Sequence, residues 1–208
     1  MVVVEEVTFR LDAFPLGPGT RYQFRDTWGA PRGGGTRPHE GVDIAAPRGS
    51  VIRAATTGRV VALSLDRDSA CGLGVFIVSR MPERYMLGYC HMDAEPIVSV
   101  GNTVQAGDPI GLVGATGNAT HVDRRGVTHS AYHLHLQAEA LPSRARINPF
   151  TELVAVSGST IAPHSEWARG RVPGSTPSRN PPGGLPGASG SGWLLVALLA
   201  YLSTRGSS

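Results

Sequence analysis

Seven histidines punctuate the 208-residue sequence, and four of them stand in patterns that packing alone does not require. His133-Leu134-His135 is the most informative. In a strand, residues two apart share a face, so this spacing projects two imidazoles to one side while Leu134 and Leu136 enter the core behind them. Two like-facing imidazoles suit a metal or a proton relay; the plainer alternative is one surface histidine and one satisfied core histidine. A second pattern is His39-Glu40-Gly41-Val42-Asp43, entered through Pro38 and left through Ile44-Ala45-Ala46-Pro47. Gly41 and the flanking prolines favour a loop running into a strand over a helix. In either case a ring nitrogen and a carboxylate oxygen can converge, the plainer alternative being a surface ion pair. His91 closes a third run, Tyr89-Cys90-His91-Met92. Strict alternation there puts Tyr89 and His91 on one face and Cys90 on the other, as a small buried filler. Together, His39, Asp43 and His135 supply two nitrogens and one oxygen. That set suits zinc with a fourth position left for water, as catalytic rather than structural sites need.

The elements that must position these groups are short. Between residues 51 and 137 the sequence runs in alternating or apolar stretches split by glycine turns, which predicts strands at 51–55, 59–63, 75–80, 84–91, 109–113 and 133–139, with turns at 57–58, 81–83 and 106–108. No run there is long enough for a helix. Residues 14–38, rich in Gly, Pro and Arg, are expected to wrap the sheet as an ordered loop. With 41% hydrophobic, 17% charged and 6% aromatic residues, 27 Gly and 16 Pro, the composition suits one loop-rich β domain plus an appendage.

Charge narrows the function further. All 19 basic residues are arginine, so chemistry that needs a lysine is excluded: lipoyl or biotinyl attachment, Schiff bases, a phosphate-loop lysine. The net charge of +3 lies wholly in 156–208, where Arg169, Arg171, Arg179 and Arg205 face a single Glu166. Residues 1–155 are neutral, so no nucleic-acid groove is indicated. Cys71 and Cys90 make neither a disulfide framework nor a zinc ribbon, and spacing does not decide whether they pair.

The expected organisation is an N-terminal extension (1–11), a catalytic domain (12–155), a linker (156–192) and a short apolar segment (193–208). Residues 170–192 hold 16 Gly, Pro or Ser among 23, too few apolar side chains to offset the entropy of ordering. Trp193 to Leu202 are ten apolar residues, about 15 Å as a helix against a hydrocarbon core of about 30 Å. They read as a short docking or frayed terminal helix, or as a C-terminal sorting or membrane-anchoring signal, too short to span a bilayer unaided. The first 14 residues carry Glu5 and Glu6 and lack the pattern of a secretory signal.

At this point the sequence resembles the lysostaphin-type zinc endopeptidases, which cleave peptide cross-links or stems in bacterial peptidoglycan. The likeness rests on the Asp26-Thr27-Trp28-Gly29-Ala30-Pro31-Arg32 run, His39-x-x-x-Asp43, Tyr89-x-His91, the Val-x-x-Gly hairpins of 98–117, His133-x-His135 and Ile147-Asn148-Pro149, in that order. It implies a mainly antiparallel β fold, a sandwich and barrel hybrid with an open groove, few or no helices and a disordered C-terminal tail. It also implies one zinc on His39, Asp43 and His135, with His133 as the base and His91 orienting the water or donating to the oxyanion, the two roles being exchangeable. A monomer acting in the envelope or secreted, on peptidoglycan peptides, is the expectation; the export signal then lies outside this chain or export is unconventional. The sequence departs from the pattern at residues 118–132, an insert carrying His121, Asp123, Arg124, Arg125 and His129 that is expected to rim the cleft, or else to be a solvated loop.

Other classes are weaker. A non-catalytic envelope scaffold or hydrolase activator should have lost ligands, and none is missing. A sugar-phosphotransferase domain could use a histidine pair, but it would not need His39 and Asp43 together. The absence of His-Glu-x-x-His excludes the zincins.

Overall fold

A computed structural model describes residues 9–80, 84–122 and 128–157. The expected turn at 81–83, the acidic and basic centre of the insert, the linker from residue 158 on and the apolar C-terminal segment lie outside the described residues; Val156 and Ser157, expected as linker, end the helix Phe150–Ser157.

Among the described residues the strands are, in chain order, β1 (Gln23–Phe24), β2 (Pro31–Arg32), β3 (Arg37–Pro38), β4 (Val42–Ala45), β5 (Val51–Arg53), β6 (Gly58–Ser64), β7 (Leu73–Ser79), β8 (Tyr85–Met92), β9 (Thr103–Val104), β10 (Pro109–Leu112), β11 (Thr120–Val122), β12 (Thr128–Ser130), β13 (His133–Ala140) and β14 (Arg146–Ile147). One α-helix, α1 (Phe150–Ser157), follows. The main sheet has the order β1-β4-β13-β8-β7-β6-β9, with β14 on β13, and its pairings are antiparallel. Three two-stranded ribbons, β5 with β10, β11 with β12 and β2 with β3, complete the β structure. The fold is therefore the expected one, mainly antiparallel β with a single helix, and the described strands form no closed barrel.

Alternation dictates the centre of the sheet. Leu134, Leu136 and Ala138 of β13 are fully buried against Val42 and Ile44 of β4 and Leu87 and Tyr89 of β8, which makes one core out of every second residue. At about 1.5–3 kcal/mol for each large apolar side chain buried, this row is what holds β4, β13 and β8 together. Tyr89 keeps its polar end satisfied by accepting a hydrogen bond at Oη from the Ala55 amide, 2.8 Å away. A second, smaller cluster of Val61, Ala62, Phe76, Met86, Cys90 and Leu141 covers the opposite face.

Residues 14–38, expected as a wrapping loop, carry three short strands and an aromatic chain. Phe14 stacks on Tyr22 at 4.3 Å, and Phe24 meets Phe150 of α1 edge-on at 5.9 Å. The helix starts where its signals stand: Asn148 Oδ1 accepts from the Phe150 amide at 3.0 Å, and Pro149, which has no amide to satisfy, immediately precedes the helix.

Two features of β8 depart from the sequence reading. The β7–β8 register advances two residues on β7, from Leu73 to Val75, but three on β8, from Met92 to Tyr89, so an extra residue is bulged out. His91 sits in that bulge with φ 67°. A non-glycine residue in the left-handed region costs roughly 1–2 kcal/mol. The bulge shifts the alternation by one: Tyr89 and Met92 both face the large core, and His91 turns to the side of Cys90 instead of the side of Tyr89. The expected placement of His91 is thus corrected. Cys90 is buried as expected, but as half of a disulfide with Cys71 rather than as a free filler.

Candidate functional site

The site is assembled on β4, β13 and the bulged end of β8. Asp43 and His135 are direct partners across the β4–β13 ladder, so both side chains emerge side by side on one face. His39 lies one turn of loop before β4. Its own amide donates to Ala30 O and its carbonyl accepts from the Gly29 amide, both at 2.9 Å, which locks the loop.

Donor atoms converge as a result. His39 Nε2 stands 3.1 Å from Asp43 Oδ1 and 2.9 Å from His135 Nδ1, and His135 Nδ1 stands 3.0 Å from Asp43 Oδ1. Tetrahedral zinc with ligands at about 2.0–2.1 Å would hold their donor atoms about 3.3 Å apart, so the spacing fits a single small cation. The chemistry of the set fits as well. His39 donates its Nδ1 proton to Thr27 O at 2.9 Å, which leaves Nε2 as a bare lone pair aimed at the other two donors. Burial pushes the Asp43 carboxyl up, but the close approach of the His135, His39 and His133 rings outweighs it and holds the group far below the usual carboxylate range, so it is ionised. Of the described residues, His39, Asp43 and His135 are the cluster able to hold a metal ion.

Two further imidazoles face this cluster. His133 lies on the same face of β13 as His135, with Nε2 3.6 Å from Asp43 Oδ1. Its ring centroid is 4.8 Å from that of His91, which in turn is 5.8 Å from His135. Each is fixed through Nδ1, His133 by donating to Ala131 O at 2.6 Å and His91 by donating to Thr116 O at 2.8 Å, so each keeps Nε2 as its free basic nitrogen. Burial, reinforced by the neighbouring histidines, pushes His91 down to about 3. Burial likewise lowers His133. Both are neutral at ordinary pH, with a lone pair at Nε2.

All five singled-out residues are therefore brought together. The sequence reading gave no role to the groups around them. Arg32 pairs with the outer oxygen of Asp43, Thr27 supports both His39 and Asp43, and Thr116 holds His91. Gly41 was noted only as a helix breaker, yet a Cβ there would lie 2.6 Å from His135 Cε1 and from Leu136 O, so the ring needs that empty space. No local signal marks Thr116, because the atom that holds the His91 ring is a backbone carbonyl. The insert forms the β11–β12 hairpin, in which His121 is the backbone partner of His129; their side chains and residues 123–127 lie outside the described residues.

Comparison with known proteins places the chain in a family. The chain is 29% identical over 155 residues to an uncharacterized metalloprotease of Haemophilus influenzae, covering 74% of this chain and 28% of that protein. It is 33% identical over 107 residues to the L-Ala–D-Glu endopeptidase of Bacillus subtilis, covering 50% and 32%. It is also 33% identical over 95 residues to the murein hydrolase activator NlpD of Escherichia coli, covering 46% and 23%. The chain thus spans a third or less of the length of these relatives. Its fold matches the catalytic domain of lysostaphin from Staphylococcus simulans with a TM-score of 0.51 at 24% identity, covering 64% of this chain and 92% of that one. A zinc-containing peptidase from Vibrio cholerae matches with a TM-score of 0.50 at 23% identity, covering 67% and 39%. Residues 37–149, more than half of the chain, match the model of peptidase family M23, and the chain belongs to that family.

Proposed function

We propose that this chain is a zinc-dependent endopeptidase that hydrolyses peptide bonds in the cross-links or stems of bacterial peptidoglycan. The observation that carries the reading is the convergence of three donor atoms within 3.1 Å of one another beside two buried, neutral imidazoles. His39 Nε2, Asp43 Oδ1 and His135 Nδ1 would hold the zinc, and the outer Asp43 oxygen is kept in place by Arg32. Zinc bound there supplies Lewis acidity toward a water and the scissile carbonyl.

The remaining work falls to the chain's own groups. His133 Nε2 accepts the proton of the attacking water and returns it to the leaving amine, a transfer worth about 10²–10⁴-fold in rate. His91, with its Nδ1 proton committed to Thr116 O, presents a lone pair at Nε2 and so orients the water as an acceptor. Donation from His91 to an oxyanion would require that it first take up a proton. Murein-directed activity in relatives supports the substrate class, and an envelope location follows from that substrate.

A second reading, a non-catalytic activator of other wall hydrolases, is favoured by the likeness to NlpD. The complete set of five site residues speaks for catalysis. The two readings separate when zinc-loaded protein is incubated with purified peptidoglycan and the released fragments are analysed by mass spectrometry. New termini within the stem or cross-bridge are expected. No release, with stimulation of an added wall hydrolase instead, would establish the activator.

A further inference from the structure

Something must keep His91 in its unfavourable backbone conformation. The ladder cannot do it, because the β7–β8 register breaks between Leu73 and Val75, opposite the bulge. Besides the Met92–Val113 bridge that follows it, the contacts around His91 come from two places. Cys71 accepts the His91 amide at its carbonyl, 2.8 Å away, and its sulfur is bonded to Cys90, the residue just before His91. Thr116 accepts the His91 Nδ1 proton at its carbonyl, while its hydroxyl donates to Met92 O at 2.8 Å, just after His91, and accepts from the Leu73 amide at 3.0 Å.

Thr116 and the Cys71 loop are themselves wedged together. Gly72, with φ 63°, approaches so closely that a Cβ there would lie 2.4 Å from Thr116 Oγ1. The backbone on both sides of His91 is thus tied into one unit, closed covalently by the disulfide.

We propose that the Cys71–Cys90 bridge, with Thr116, is a positioning device for His91, and that hydrolysis is switched on by closure of the bridge. This rests on the reading above, in which His91 acts on the reacting water. Closure takes two protons and two electrons from the Cys71 and Cys90 thiols. A disulfide oxidant accepts them by exchange, its S–S bond breaking to two thiols as the Cys71–Cys90 bond forms. A chain still in its dithiol form binds zinc but holds His91 loosely. It is then a poor hydrolase until it meets an oxidising compartment, which would protect the wall-building cell from its own enzyme.

The test compares the zinc-loaded full chain in its disulfide form with Cys71→Ala/Cys90→Ala, reading zinc content, KM, kcat and the His91 Cε1–H NMR signal, assigned by its disappearance in His91→Ala. The proposal expects one zinc per chain in both, KM within about twofold, and kcat at least tenfold lower without the bridge. Adding His91→Ala to the bridgeless chain should cost far less than in the bridged one. The His91 signal should move while that of His39 stays. Thr116→Val should reproduce the loss and Thr116→Ser should not, which keeps the test decisive should the double alanine chain fail to fold. Unchanged kcat together with an unmoved His91 signal overturns the proposal, as does a loss that simply multiplies with that of His91→Ala. Should the bridged, zinc-loaded chain cleave nothing, the functional reading fails, and the NMR signal alone then decides the positioning.

Discussion

Strands β13 and β8 lie side by side and both deliver histidines to the site, yet they do so by opposite means. β13 is regular: His133 and His135 face the site because Leu134 and Leu136 face the core, and burial of the leucines aims the imidazoles. β8 is regular only to Tyr89, after which the bulge turns His91 against its alternation. In the first strand the geometry of the site is a by-product of stability, whereas in the second it is opposed by backbone preference and held by a disulfide and a threonine. Changes in β13 should therefore cost stability and function together, while changes at the bulge should separate the two.

The largest effect expected is on turnover. His133→Ala should keep its zinc and lose about 10²–10⁴-fold in kcat, checked by metal analysis beside steady-state kinetics; loss of metal in that variant would show that the ligand and base roles are misassigned. Leu136→Ala, which empties a fully buried site between β4 and β8, should cost about 2–5 kcal/mol in urea or thermal unfolding. Tyr89→Phe leaves the buried Ala55 amide without its acceptor and should cost about 1–3 kcal/mol with the site intact.

The smallest effects sharpen the contrast most. At the bulge, His91→Gly should be more stable than His91→Ala by about 1 kcal/mol, because glycine alone adopts φ 67° freely. At His133, in regular strand, the order should reverse, glycine being less stable than alanine by about 0.5–1 kcal/mol. Matching orders at the two positions would mean that the bulge is not what distinguishes the strands.

Much of this was legible in the sequence because alternation is a local property. All six predicted strands stand within two residues of the observed ends, and His39, Asp43 and His135 meet as their residue types suggested. What stayed hidden depends on register between distant segments. Whether His91 follows Tyr89 or opposes it is decided by how β7 lies on β8, and the same register brings Cys71 to Cys90. Arg32, noted only within the family-like run, was given no role because nothing near it in sequence points to Asp43. The short helix did carry a signal, Asn148-Pro149 before an apolar run, but lay beyond the strand pattern that organised the reading.

The central claim is that three side chains remote in sequence share one metal ion on which hydrolysis depends. Its most direct measurement is a zinc titration of the metal-free chain, followed by native mass spectrometry and by cleavage of peptidoglycan peptides in the same samples. Uptake should stop at one ion per chain, cleavage should rise in proportion and level off there, and His135→Ala should take up no zinc and cleave nothing. Cleavage by the metal-free chain, or by His135→Ala at the rate of the unaltered protein, would contradict the account.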